Sequence, residues 1–301
     1  MINFALIGIC IIAGMLFRQS KTLPIDAHKG INAWIIYLAI PGFSLKYLPH
    51  VQWDAHLLLA AAAPVIVWLA GWIFCSVYAA KTGIDKATEG SLKLTAGLSN
   101  TGLIGFPLIM AYFGDKALSI AIICDQVSFT ILSTAGIIVA INSSKQQPLS
   151  AGVVLKKLFR FPPFLACMAA LILPHYMDLS PLEPLFDKLA ATVVPLALFS
   201  IGLQLKFDGW LKQWKHISAV LVYKLLIAPL LVMMVALLLH IRGDVAQISV
   251  FESAMPTVLT AAVITDEYNL NPVLATQVIG VGIIVSLVTT GIWYAVVQWL
   301  F

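Results

Sequence analysis

Four polar or charged clusters interrupt otherwise apolar stretches of this chain, and any chemistry must reside in them. The first is Ser99-Asn100-Thr101, followed by Gly102, Gly105 and Pro107. Two glycines and a proline this close together lower helical preference, and the proline also removes a backbone donor. The stretch is expected to open into extended backbone, which at membrane depth is tolerated only where it lines a cavity or is buried in protein. The second cluster, Glu252-Ser-Ala-Met255-Pro256-Thr, repeats the pattern. Each break would create a half-helix N-terminus with free N–H groups and a partial positive charge, suited to a carboxylate. The opposing C-terminal ends favour a cation or a lysine. The alternative is that both prolines merely kink continuous helices.

The other two clusters are Asp125-Gln126, with Ser128 nearby, and the isolated Lys224. Asp125, Lys224 and Glu252 are the charged residues that fall inside apolar runs away from the loops that bound them, where charge is costly unless solvated or paired. Counted from the run ends, Asp125 and Lys224 each lie roughly 12 Å deep and about 6 Å apart in depth. They could pair with one another, or Lys224 with Glu252. A coupling or gating role is expected for all three, against the alternative of a purely structural ion pair. Asp125 and Glu252 suit proton coupling, and the Ser99–Thr101 segment suits sodium. The six histidines lie at run ends or in loops, without metal-ligand spacing. There is no nucleophile–base set, phosphate loop or zinc motif. Neither an enzyme nor a resident metal or cofactor is expected. Cys10, Cys75, Cys124 and Cys167 sit far apart in apolar runs and are read as small core hydrophobes.

The elements that must position these groups follow from composition. Of 301 residues, 60% are hydrophobic and 11% charged, and mean hydropathy is +0.96. A soluble domain carries about 25% charged residues, so a disordered chain, a nucleic-acid binder and an ordinary cytosolic enzyme are excluded. An all-α polytopic protein of the lipid bilayer remains. Apolar runs place ten spans near 2–17, 29–47, 57–80, 92–113, 117–141, 161–177, 185–205, 216–240, 247–265 and 272–300. No basic residue precedes the first run, so it does not read as a cleaved signal peptide. Thirteen Lys and Arg fall in the odd-numbered loops and four on the opposite side. That bias puts the odd loops in the cytoplasm and both termini outside the cell membrane.

The polar segment from Asn142 divides the chain into a five-span repeat (1–141), a cytoplasmic linker (142–160) and a second five-span repeat (161–301). Five spans per half require the second to enter the membrane inverted. Proline positions support the repeat: Pro41 matches Pro195 at an offset of 154 residues, and Pro107 matches Pro256 at 149. Lys156-Lys-Leu-Phe-Arg160 reads as an orientation signal before the sixth span, with an amphipathic interfacial helix as the alternative.

At these residues the sequence resembles the auxin efflux carrier family. Asn100-Thr-Gly-Leu-Ile-Gly-Phe-Pro107 is similar to the family's fourth-span motif, Leu196-Ala-Leu-Phe-Ser-Ile-Gly202 to its seventh span, and Met255-Pro256 through Asp266-Glu-Tyr-Asn-Leu-Asn-Pro272 to its ninth span and the turn after it. The resemblance implies a fold like that of bile acid symporters and sodium/proton antiporters, with spans four and nine crossing at their breaks. It implies a scaffold of spans one, two, six and seven, a mobile transport domain of the rest, and a homodimer. It also implies a secondary transporter of a small organic anion, such as malate, malonate or an auxin-like acid, working by alternating access. Asn100, Thr101, Pro107 and Pro256 would then line the site, with Asp125 and Gln126 nearby. A channel-like or regulatory protein of the same fold is the alternative.

Overall fold

A run of Leu, Ile, Val and Ala in lipid can satisfy its own backbone as helix, and the described parts of the apolar stretches are largely helical. The structure, a computed structural model, describes residues 2–24, 26–50, 55–144, 162–204 and 210–301. Most of the expected linker, including Lys156–Arg160, lies outside the described residues, as does Lys206. Among the described residues there is no strand, only one isolated bridge. Five helices are long and apolar enough to cross a membrane by length and composition: Ala55–Thr82, Asp115–Ser143, Ser180–Gln204, Leu211–Leu238 and Pro272–Leu300. Shorter apolar helices run over Ala5–Gln19, Thr101–Tyr112 and Phe164–His175.

Local chemistry sets several ends beyond the apolar runs. Asp85 accepts the Thr88 N–H at 2.8 Å and starts helix Lys86–Gly97 well before its apolar stretch begins. The Thr88 hydroxyl first, and its N–H second, hold Asp85 below the usual carboxylate range. Gly83, at φ 66°, closes helix Leu58–Thr82 in the left-handed conformation that costs glycine least.

Three helices contain a one-turn π segment followed two residues later by proline: Ile35–Ala39 before Pro41, Thr101–Gly105 before Pro107, and Tyr223–Ile227 before Pro229. The wider turn shifts the hydrogen-bond ladder past the donor that proline lacks. A carbonyl left over must find another partner. Leu225 O, four residues before Pro229, accepts the Trp293 indole N–H at 2.7 Å. Inside helix Leu58–Thr82, Pro64 frees Ala60 O, which accepts the Cys124 S–H at 3.2 Å. Cys124 is therefore a donor as well as a core hydrophobe.

The chain forms two compact units. The first comprises Met1–Trp53, Gly102–Ile122 and Leu158–Leu205, and the second Asp54–Thr101, Ile123–Lys157 and Lys206–Phe301. Each sequence half, 1–141 and 161–301, contributes to both. Gly102–Ile122, from the fourth and fifth apolar stretches, groups with the first unit.

Within the first unit, helix Ile2–Gln19 packs against Val193–Gln204 with Gly14 facing Gly202. A Cβ on Gly14 would collide with Phe199 O, and one on Gly202 with Ile11 O. Backbone cannot yield as a flexible side chain can. Ser200 Oγ donates to Asn32 Oδ1 at 2.6 Å and Trp34 Nε1 to Thr192 Oγ1 at 3.1 Å. Phe43 stacks on Phe106 with centroids 4.8 Å apart. The second unit is built on a core of Trp68, Leu94, Leu98, Leu132, Ile137 and Tyr268.

Gly202→Val is expected to cost about 1–3 kcal/mol through overpacking against backbone, seen as earlier thermal unfolding of the purified protein in detergent. Gly8→Val, where a Cβ meets nothing within 4 Å, leaves the transition in place. Equal behaviour of the two variants would contradict the close glycine crossing.

Candidate functional site

Helix Lys86–Gly97 ends because Leu98 turns extended, with φ −102° and ψ 120°. Helix Asp244–Ser253 ends at Ala254, ahead of Met255 and Pro256. A residue before proline is driven out of the helical region, and proline itself has no N–H to give. Both interruptions leave carbonyls at a helix C-terminus without intrahelical donors.

The two extended segments satisfy one another. Ser99 and Thr257 form an antiparallel bridge, flanked by Asn100 N–H to Pro256 O at 2.8 Å and Val258 N–H to Leu98 O at 3.2 Å. The Thr257 hydroxyl donates to Thr95 O at 2.6 Å, in the last turn of the first half-helix. Helical structure restarts at Thr101 and again at Thr260. The helices are thus interrupted rather than kinked, which decides between the two readings of the sequence. The fourth-span break lies at residues 98–100, ahead of the glycines and proline expected to cause it. Pro107 lies inside the restarted helix Thr101–Tyr112, just past the π turn Thr101–Gly105 that carries the ladder beyond its missing N–H.

Around the bridge the second unit buries an unusual set of polar side chains: Ser99, Asn100, Thr101, Gln126, Ser128, Lys224, Glu252 and Thr257 are each less than one-tenth exposed. Lys224, fully buried, lies in the π segment Tyr223–Ile227. Its ammonium donates to Ser99 Oγ, two residues beyond the carbonyl end of helix Lys86–Gly97. A cation is favoured there, and Lys224 forms no ion pair with Asp125 or Glu252. Asp125 Oδ1 accepts the Thr101 hydroxyl at 2.6 Å, and its Oδ2 accepts the Gln126 amide at 3.4 Å. Glu252 has no hydrogen-bond donor at either oxygen. It lines a cavity of about 10 Å³ with Ser99, Thr101, Ser128 and Cys124, walled by Pro64. That is room for about one water molecule.

The structure therefore brings Ser99, Asn100, Thr101, Asp125, Gln126, Lys224, Glu252, Met255 and Pro256 into one unit. Gly102, Gly105 and Pro107 belong to the other. There Pro107 lines a separate cavity of about 320 Å³ with Leu6, Lys46, Tyr47, Met110 and Pro195. Sequence reasoning missed Thr257 and Thr95 as mutual partners, and the Pro64–Cys124 arrangement beside the small cavity. Pro64 alone could have signalled an unmet carbonyl at Ala60. Among the described residues no group of three His, Cys, Asp or Glu is placed to hold a metal ion.

Comparison with known proteins bears on this arrangement. Residues 3–294 match the sequence model of a family described as membrane transport protein. A Methanothermobacter thermautotrophicus protein named an uncharacterized transporter is 25% identical over 294 residues, 96% of this chain and 95% of the relative. A Rhizobium meliloti protein whose name assigns it provisionally to malonate transport is 26% identical over 303 residues, 94% of this chain and 93% of the relative. The Escherichia coli protein YfdV, named an uncharacterized transporter, is 23% identical over 307 residues, 95% and 93% of the two chains.

Thr257→Val should cost about 1–3 kcal/mol, because Thr95 O loses its hydroxyl donor in a buried site. Thr257→Ser keeps the donor and should retain most of that stability. Thermal unfolding of the two variants checks the bridge, and a Val variant as stable as the native chain would contradict it.

Proposed function

Because the chain belongs to this membrane transport protein family, the family of the auxin efflux carriers, we propose that it is a secondary carrier of a small organic anion. The substrate class is a mono- or dicarboxylate, of the malonate, malate or auxin-like kind, moved by alternating access. The observation that carries this reading is the backbone bridge Ser99–Thr257 set among buried hydroxyls and the Lys224 ammonium. A carboxylate needs converging N–H and O–H donors and a positive field in a place screened from water. The Asn100 amide and the hydroxyls beside it supply donors, and Lys224 supplies the charge.

The ten helical stretches are read as ten spans in two inverted five-span repeats, with both termini outside. Interruptions near the same position of each half, both ending at the one bridge, support that reading. The bridged residues fall inside a single compact unit, which suits a mechanism in which that unit carries the bound anion. The relative named for malonate transport supports a short dicarboxylate among the substrates.

The test is uptake of labelled mono- and dicarboxylates into proteoliposomes, where at least one should enter saturably and concentratively. Flux that only equilibrates marks a channel-like protein, and no saturable flux across the panel overturns the reading. Asn100→Ala should weaken binding of the transported anion about tenfold or more, the loss of one hydrogen bond to a charged group. Its helical circular dichroism should stay native.

A further inference from the structure

Resting on the carrier reading above, we propose that Glu252 carries one proton that binds together with the anion, so that transport is proton symport. The geometry concerns three charged groups in one buried compartment. Asp125 accepts two hydrogen bonds, from the Thr101 hydroxyl and the Gln126 amide. The Lys224 side-chain nitrogen donates to Ser99 Oγ. Glu252 is 2% exposed, and neither carboxylate oxygen receives a donor. A buried carboxylate that receives no donor from the protein is costly to keep ionised. With Asp125 as carboxylate and Lys224 as ammonium, a proton on Glu252 leaves one negative and one positive charge, so the compartment is neutral.

The neutral compartment matters for the anion. With Glu252 ionised, the compartment has a net charge of minus one and repels a second carboxylate at short range in a low-dielectric setting. With Glu252 protonated, that repulsion vanishes and Lys224 attracts the incoming anion. Proton and anion therefore bind with positive coupling, and by reciprocity each strengthens the other. The proton is taken from water on the side where the anion enters and released to water on the side where it leaves. Glu252 begins and ends each cycle in the same state.

A metal ion fits the same cavity less well. Hard cations gather several oxygen ligands. Here Thr101 Oγ1 already donates to Asp125, and Ser99 Oγ already accepts from the Lys224 ammonium, which itself repels a cation. The titratable groups facing Glu252 are Asp125 and Cys124 from one helix and Lys224 from another. Helix Leu58–Thr82 contributes Ala63, Pro64 and Val67 to the cavity wall, none of which titrates. Glu252 is the one carboxylate in the cavity lining and has no donor to lose when it gains a proton.

Two measurements on the full chain decide the matter. In proteoliposomes, labelled malonate uptake with an inward acid gradient should exceed uptake at symmetrical pH several-fold. In Glu252→Gln that ratio should fall to about one. The substrate's own ionisation is the same in both proteins, so the difference isolates Glu252. An undiminished ratio in Glu252→Gln, or stimulation by a sodium gradient in place of the acid gradient, overturns the proposal. Infrared difference spectroscopy of the purified protein needs no substrate. The C=O stretch of a protonated carboxylic acid, present near neutral pH, should vanish in Glu252→Gln. If it persists unchanged or was never present, Glu252 is not the proton carrier. Absence of any malonate flux with the infrared band intact and lost in Glu252→Gln would count against the substrate reading and leave the proton site standing.

Discussion

An unpaired backbone N–H or C=O costs too much to leave in lipid, and this constraint organises the centre of the molecule. Two helices stop short of completing their paths. Each stop leaves carbonyls without donors, and a continuous helix is no longer available to supply them. The segments answer by pairing with one another: Asn100 N–H with Pro256 O, Val258 N–H with Leu98 O, and the Thr257 hydroxyl with Thr95 O. Each break is tolerable because the other is there. Neither segment could be repaired to helix alone without stranding its partner.

The same rule recurs at smaller scale. Pro64 and Pro229 each vacate a carbonyl, and each vacancy is filled from another helix, by the Cys124 thiol and the Trp293 indole. Irregularity is thus spent where it turns side chains inward: the π segment before Pro229 contains Lys224, and Pro64 walls the cavity at Glu252. The first unit handles its tightest contact differently, by removing side chains at Gly14 and Gly202 so that two backbones can touch.

Much of this was legible in the residues. Apolar runs placed the helices because burial in lipid and self-satisfied backbone coincide in a helix, and the Gly and Pro clusters marked both interruptions. The exact seat of the first interruption was not legible. Breakers concentrate at Gly102, Gly105 and Pro107, yet a π turn accommodates the proline within a helix, and the chain opens instead at Leu98–Asn100, where a partner segment waits. That partner lies about 160 residues along the chain from Leu98 to Val258, beyond the reach of any local pattern. The choice of Lys224 was hidden for the same reason. Depth alone allowed Asp125 or Glu252, whereas the ammonium goes to Ser99, at a carbonyl-rich helix end that exists only once the break has formed. The family resemblance, by contrast, extends across the chain, as the match over residues 3–294 bears out.

The most direct measurement is a disulfide trap across the bridge. Ser99 and Thr257 face one another without sharing hydrogen bonds of their own, the pairing that brings Cα atoms closest, at about 4.5 Å, within disulfide range. Ser99→Cys combined with Thr257→Cys, oxidised in the native membrane and digested, should yield a cross-linked peptide joining the two segments in high yield. Recovery of both as separate reduced peptides, under conditions where each single thiol can be oxidised, would contradict the crossing on which the functional reading depends.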